Sequence, residues 1–98
     1  MAHEIIWTEI ATEDFDQIIS FISEGYSEEQ AIAFVQTFYR RLDLLATMPF
    51  IGTKSQKREN VRRLLINKNY SLAYTVIVDQ IYLLRVIVNR QDPDKSEF

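Results

Sequence analysis

Between Val61 and Pro93 the chain reads VRRLLINKNYSLAYTVIVDQIYLLRVIVNRQDP. Three β-branched and aromatic runs are separated by two short polar breaks, a pattern that demands consecutive antiparallel strands. A two-residue loop at Asp79-Gln80 would pair Val78 with Ile81, Val76 with Leu83 and Tyr74 with Arg85. Because strand side chains alternate, that register places Tyr70, Leu72, Tyr74, Val76, Val78, Ile81, Leu83 and Ile87 on one face. Ser71, Ala73, Thr75, Tyr82, Leu84, Val86, Val88 and Arg90 fall on the other. The first face is expected to be core, with Tyr70 and Tyr74 as core aromatics; the second is expected to be a shallow, partly open groove. Arg85 falls on the core side, where a helix carboxylate such as Asp14 or Asp16 would pair with it.

Ahead of the sheet, Glu4 to Thr8 alternates as a short strand. Thr12 is a candidate cap for a helix with Glu13 and Asp14 in its first turn and Phe15, Ile18, Ile19 and Ile22 as its apolar stripe. Gly25 supplies a left-handed stop, and Ser27 with Gln30 forms a capping box for a second helix. Its stripe is Ala31, Phe34 or Val35, Phe38, Leu42 and Leu45, and it ends before Pro49. The short Gly25-Tyr26 link forces the helices antiparallel, and both stripes need the Tyr70/Leu72/Tyr74 face as cover. The expectation is an α+β fold in one domain spanning residues 1–98: β-α-α-β-β-β, an antiparallel sheet packed on one face by a helical hairpin. Pro49 to Asn60 is its one long connection.

Composition narrows the chemistry. The chain has 98 residues, no cysteine and one histidine, His3, which is too few ligands for a zinc site, so neither metal nor cofactor is expected. No apolar run approaches the roughly 20 residues of a membrane helix, and the start lacks the basic residues of a secretory signal, which points to the cytoplasm. The net charge of −3 hides a segregation. Residues 1–39 hold eight acids and neither Lys nor Arg, whereas residues 40–98 hold all eleven bases against six acids. Lys54, Lys57, Arg58, Arg62, Arg63 and Lys68 lie close together in sequence with Glu59 as the one acid among them. Such a two-signed surface steers an acidic partner to one side.

In order along the chain, Trp7-Thr8 with Ala11, Asp14-Phe15, Ile18, Phe21-Ile22, Leu42 and Leu45 precede Pro49 and Gly52. Then come Arg62 opening a strand, Tyr70, Leu72 and Tyr74, Leu84-Arg85-Val86, and Arg90-Gln91-Asp92-Pro93. With these residues the chain resembles the RelE/ParE superfamily of type II toxin-antitoxin toxins. The resemblance implies a bacterial growth inhibitor of the plasmid-stabilisation type, silenced by a cognate antitoxin that is usually encoded beside it. RelE-like members cut mRNA on the ribosome, and ParE-like members poison DNA gyrase.

Cleaving RNA through its own 2′-hydroxyl requires a base, an acid and cations for the charge developing on phosphate. Lys57, Arg62 and Arg90 are the candidates for such a nuclease. Proton-transfer groups are missing where the resemblance would place them, since the residues after Arg90 contain neither Tyr nor His and Val88-Asn89 stand where some relatives carry His. The ParE branch is therefore favoured, with no catalytic residue assigned and DNA gyrase, rather than ribosome and mRNA, as target. Candidate target- or antitoxin-binding residues are Lys54, Lys57, Arg58, Arg62, Arg63, Tyr82 and Arg90; only one of Arg62 and Arg63 can face the groove. A non-toxic relative that only binds its antitoxin is the alternative from another class. A homodimer through the sheet edge, or a hetero-oligomer with antitoxin, is the expected assembly.

Overall fold

Thr8 decides where the first strand stops and the first helix starts. Its hydroxyl donates to the Leu83 carbonyl at 2.6 Å and accepts from the Ala11 N–H at 3.2 Å, tying the β1–α1 junction to the sheet and capping the helix at once. The computed structural model describes residues 2–90, and β1 spans Glu4–Trp7, α1 Glu9–Gly25, α2 Glu28–Thr47, β2 Thr53–Lys54, β3 Val61–Leu65, β4 Tyr70–Ile77 and β5 Gln80–Val88. Helix α1 thus begins one turn before the Thr12 cap expected from sequence. Thr12 instead lies inside the helix, its hydroxyl on the Thr8 carbonyl at 3.0 Å. Ser27 caps α2 as expected, accepting from the Gln30 N–H. Gly25 ends α1 without a left-handed conformation, because no glycine among the described residues has positive φ.

The α+β framework β-α-α-β-β-β is present, with a two-residue strand, β2, added inside the expected long connection. Sheet order is β1-β5-β4-β3-β2. The ladders are antiparallel except that β1 runs parallel to β5, a consequence of the helical hairpin carrying the chain back to the same end. Phe15, Ile18 and Ile22 of α1, together with Ala31, Phe34, Phe38, Leu42 and Leu45 of α2, meet Leu64, Tyr70, Leu72, Tyr74, Ile81, Leu83 and Val86 in one core. Trp7 is partly buried against it, its ring 5.1 Å from Phe15 and 5.5 Å from Phe38.

Two corrections to the hairpin follow from backbone geometry. The turn residues are Val78 and Asp79, so Ile77 pairs with Gln80 and Val76 with Ile81. Val78 therefore leaves the core face and stands 84% exposed with φ 55°. Further along, the register slips between Ala73 and Tyr74: Tyr74 pairs with Leu83 but Ala73 with Arg85, leaving Leu84 as the extra residue of a bulge. That one residue inverts everything beyond it. Val86 and Val88 join the helix-covered core, and Ile87 moves to the opposite face in a small cluster with Val61, Ala73 and Leu84.

Candidate functional site

The segment after α2 is fixed by Tyr74. Its buried hydroxyl donates to the Pro49 carbonyl at 2.8 Å and accepts from the Gly52 N–H at 2.9 Å. Gly52 lies so close that a Cβ there would be 2.7 Å from the Tyr74 hydroxyl and 2.8 Å from the Arg63 carbonyl. Arg62 adds the second clamp, its Nη1 donating to the Gly52 carbonyl at 2.8 Å and to the Phe50 carbonyl at 3.2 Å, with the guanidinium 5.2 Å from the Phe50 ring. Lys54, pairing opposite Arg62 in the ladder, and Arg58 join them around a cleft of about 540 Å³. Lys57 stands in the same exposed loop, where the Lys57 and Arg58 N–H groups both donate to the Ser55 hydroxyl.

The other expected site residues lie elsewhere. Arg63 pairs opposite Ala73, which in turn faces Arg85, so Arg63 and not Arg62 belongs to the helix-free face of the sheet. Tyr82 shares that face through its pairing with Thr75, and its hydroxyl donates to Gln80 Oε1 at 2.8 Å. The middle of this face is not an open groove, since Ser71 and Ala73 are both buried. Arg90 borders a cleft of about 590 Å³ with Phe21, Tyr26, Lys68 and Tyr70 at the other end of the sheet. The rows holding Tyr74 and Tyr70 are four strand positions apart, about 13 Å at the usual rise. One continuous groove joining Arg62 to Arg90 is thus replaced by two basic clefts and a helix-free face. Gln91, Asp92 and Pro93 of the terminal motif lie outside the described residues.

Arg85 meets Asp14 as expected, Nε to Oδ2 at 2.8 Å and Nη2 to Oδ1 at 3.2 Å, although it does so from the opposite strand face. The same Asp14 oxygen accepts from the Val86 N–H at 3.1 Å. This fork closes the gap where β1 stops, so its role is structural. Burial raises the Tyr74 hydroxyl above its usual value, against the lowering effects of the Gly52 N–H and Arg62. Burial likewise raises Tyr70, with nearby Tyr26 adding to the shift and Arg90 opposing it. Both hydroxyls are held protonated at neutral pH and suit hydrogen bonding better than proton abstraction. Among the described residues there is no group of three His, Asp or Glu able to hold a metal, and no helix is long and apolar enough to cross a membrane.

Sequence reasoning missed the Tyr74–Gly52–Pro49 pin, although Pro49 and Gly52 three residues apart after a helix were a signal of a fixed turn. Phe21, outside the expected stripe of Phe15, Ile18, Ile19 and Ile22, is 59% exposed.

Against known proteins, the family model described as ParE toxin of type II toxin-antitoxin system, parDE, matches residues 5–93. Among solved structures, the chain is similar to one described as the chromosomal ParDE toxin-antitoxin system from P. aeruginosa, at TM-score 0.76 and 22% identity over 89% of this chain and 96% of that one. It is similar to a chain of the E. coli DinJ-YafQ toxin-antitoxin complex at TM-score 0.63 and 9% identity, covering 90% and 93%. A copper-bound mutant toxin from Helicobacter pylori aligns at TM-score 0.60 and 18% identity, covering 89% and 94%. No curated protein sequence matches the chain.

Proposed function

This chain belongs to the ParE toxin family, the toxin components of type II toxin-antitoxin systems, and from that premise we propose that it arrests growth by binding and inhibiting DNA gyrase until a cognate antitoxin captures it. The observation that carries the reading is the ParE family match across residues 5–93. The side chains support it. Arg62 is bound to two carbonyls, the Tyr74 hydroxyl is held between Pro49 and Gly52, and Tyr82 donates to Gln80, so these groups are engaged in building the surface. Lys54, Lys57, Arg58 and Arg63 then act as binding cations, giving affinity and orientation rather than chemistry. A gyrase target places the protein in the cytoplasm.

The cleft shared by Lys54, Arg58 and Arg62 favours one second reading, a ribosome-dependent mRNA endonuclease in which cations stabilise the charge developing on the phosphate as its 5′-oxygen leaves. Expression of the chain alone in a bacterial host tests the proposal. Growth should stop, gyrase should be trapped on cleaved DNA, and co-expression of the neighbouring reading frame should restore growth. Arrest with truncated messages and intact DNA would favour the nuclease. Normal growth of cells filled with soluble, folded protein would reduce the chain to an antitoxin-binding module.

A further inference from the structure

Two features that oppose folding meet at the tip of the β4–β5 hairpin. Val78 takes φ 55°, which a β-branched residue avoids, and its side chain stands almost wholly in water. Ile77 beside it is 53% exposed. An Asn or Gly at this turn would relieve the strain and remove the apolar surface together. Backbone strain of this kind clusters where a side chain is presented to a partner rather than where it supports the core.

The same end of the molecule carries an exposed aromatic on a rigid mount. Phe50 is 62% exposed, yet the turn beneath it is held four times: by the Tyr74 hydroxyl on Pro49 and Gly52, and by Arg62 on the Phe50 and Gly52 carbonyls. The Arg62 guanidinium also lies over its ring. An exposed ring whose mount is already fixed loses little freedom on binding, which is the property of an interface anchor. Phe50 and Val76 border the cleft in which Lys54, Arg58 and Arg62 outnumber Glu59, and from Val76 the strand runs directly to Ile77 and Val78. Exposed Met48 is brought to this end as well, because the His3 N–H donates to the Ala46 carbonyl while the Glu4 N–H donates to the Asp79 carbonyl of the tip.

Resting on the gyrase reading above, we infer that Phe50, Ile77 and Val78, with Lys54 and Arg58 beside them, form the face that docks on the target protein. The chemistry of the face defines the occupant: an apolar recess for Phe50 and the hairpin tip, bordered by carboxylates for the cations. A second copy of this chain fits less well. A symmetric pair would set the cations of one copy against those of the other, and a head-to-tail contact with the acidic helices would not close on itself. The apolar share of the face also favours a protein over a nucleic acid, which would offer phosphates to Lys54 and Arg58 but no recess for Ile77 and Val78.

The test measures binding of the full chain to purified gyrase without DNA, beside its capture by the protein encoded in the neighbouring reading frame. Val78→Gly and Phe50→Ala should each weaken gyrase binding at least tenfold and leave antitoxin capture within twofold of the parent. Val78→Gly should do so with an equal or higher thermal midpoint, so the loss cannot come from unfolding, and it carries the test alone if Phe50→Ala does not fold. Lys54→Glu should weaken the same contact more at low salt than at high. Parent-like gyrase binding by folded Val78→Gly and Phe50→Ala would overturn the docking face and leave the gyrase reading intact. Failure of the unsubstituted chain to bind gyrase would overturn both. Binding of the chain to duplex DNA alone, lost in the same variants, would assign the face to nucleic acid and overturn the inference, as would a dimeric mass of the isolated chain that Val78→Gly abolishes.

Discussion

Tyr74 does two jobs that substitution can separate: its ring fills the core, and its hydroxyl fastens the loop that presents Lys54 and Arg58. Tyr74→Phe should keep the packing but leave the Gly52 N–H and the Pro49 carbonyl without their partner, costing about 1–3 kcal/mol. Gly52→Ala should cost about the same, because the added methyl collides with the Arg63 backbone carbonyl as well as with the tyrosine. Denaturant midpoints measure both; values equal to the parent's would show the loop to be held by other contacts. Both buried tyrosines also fix a pH response. Tyr70 and Tyr74 are raised by burial, so the native state holds these protons more tightly than the unfolded chain. Their contribution is complete below the unfolded tyrosine value of about 10 and is lost as pH rises beyond it. Stability measured between pH 9 and 12 should fall, and fall less steeply in Tyr74→Phe. These pairings lay largely beyond sequence reasoning, because a tyrosine at a core position gives no sign of which distant carbonyl its hydroxyl will meet. Arg85 with Asp14 was the exception: an arginine inside an apolar strand must find a carboxylate, and acids cluster at the start of α1.

The helices were the legible elements. Their stripes repeat at helical spacing over several turns, Ser27 marks a start, and Pro49 a limit, so the buried set Ile18, Ile22, Phe34, Phe38, Leu42 and Leu45 emerges from pattern alone. Phe38→Ala or Leu72→Ala, each removing a side chain with no exposure, should cost about 2–5 kcal/mol, a large part of the stability of so small a fold. Parent-like denaturation midpoints would contradict the helix-on-sheet core. The β4–β5 hairpin was less legible for a physical reason. From Ile81 to Val88 nearly every residue is apolar, so nothing in the sequence marks which face each occupies, and a single bulge at Leu84 reverses Val86, Ile87 and Val88 without trace. The turn was equally hidden, because Val78 is a residue type that avoids positive φ, yet it adopts φ 55° there. Val78→Gly should relieve that conformation and, with so little buried surface to lose, raise stability by about 0.5–1 kcal/mol. A loss of stability on thermal denaturation would mean that the exposed valine contributes contacts that outweigh its strain.

At the scale of the whole molecule, charge segregation survives folding but is distributed differently from the sequence expectation. All eight acids of residues 1–39 fall on β1 and the two helices, while Arg40 and Arg41 lie on α2 and the bases between residues 54 and 90 gather around the loop after α2, on the helix-free sheet face and near the end of β5. The candidate cations therefore form separate patches, suited to a toxin that meets more than one macromolecule. On the proposed function, this surface binds gyrase and does no RNA chemistry. Purified chain in a gyrase supercoiling reaction, run beside primer extension on a message being translated with the same protein, tests it most directly. Loss of supercoiling with full-length extension products is the predicted result; codon-phased cleavage of the message with unimpaired supercoiling would contradict it and give Lys57, Arg62 and Arg90 catalytic roles.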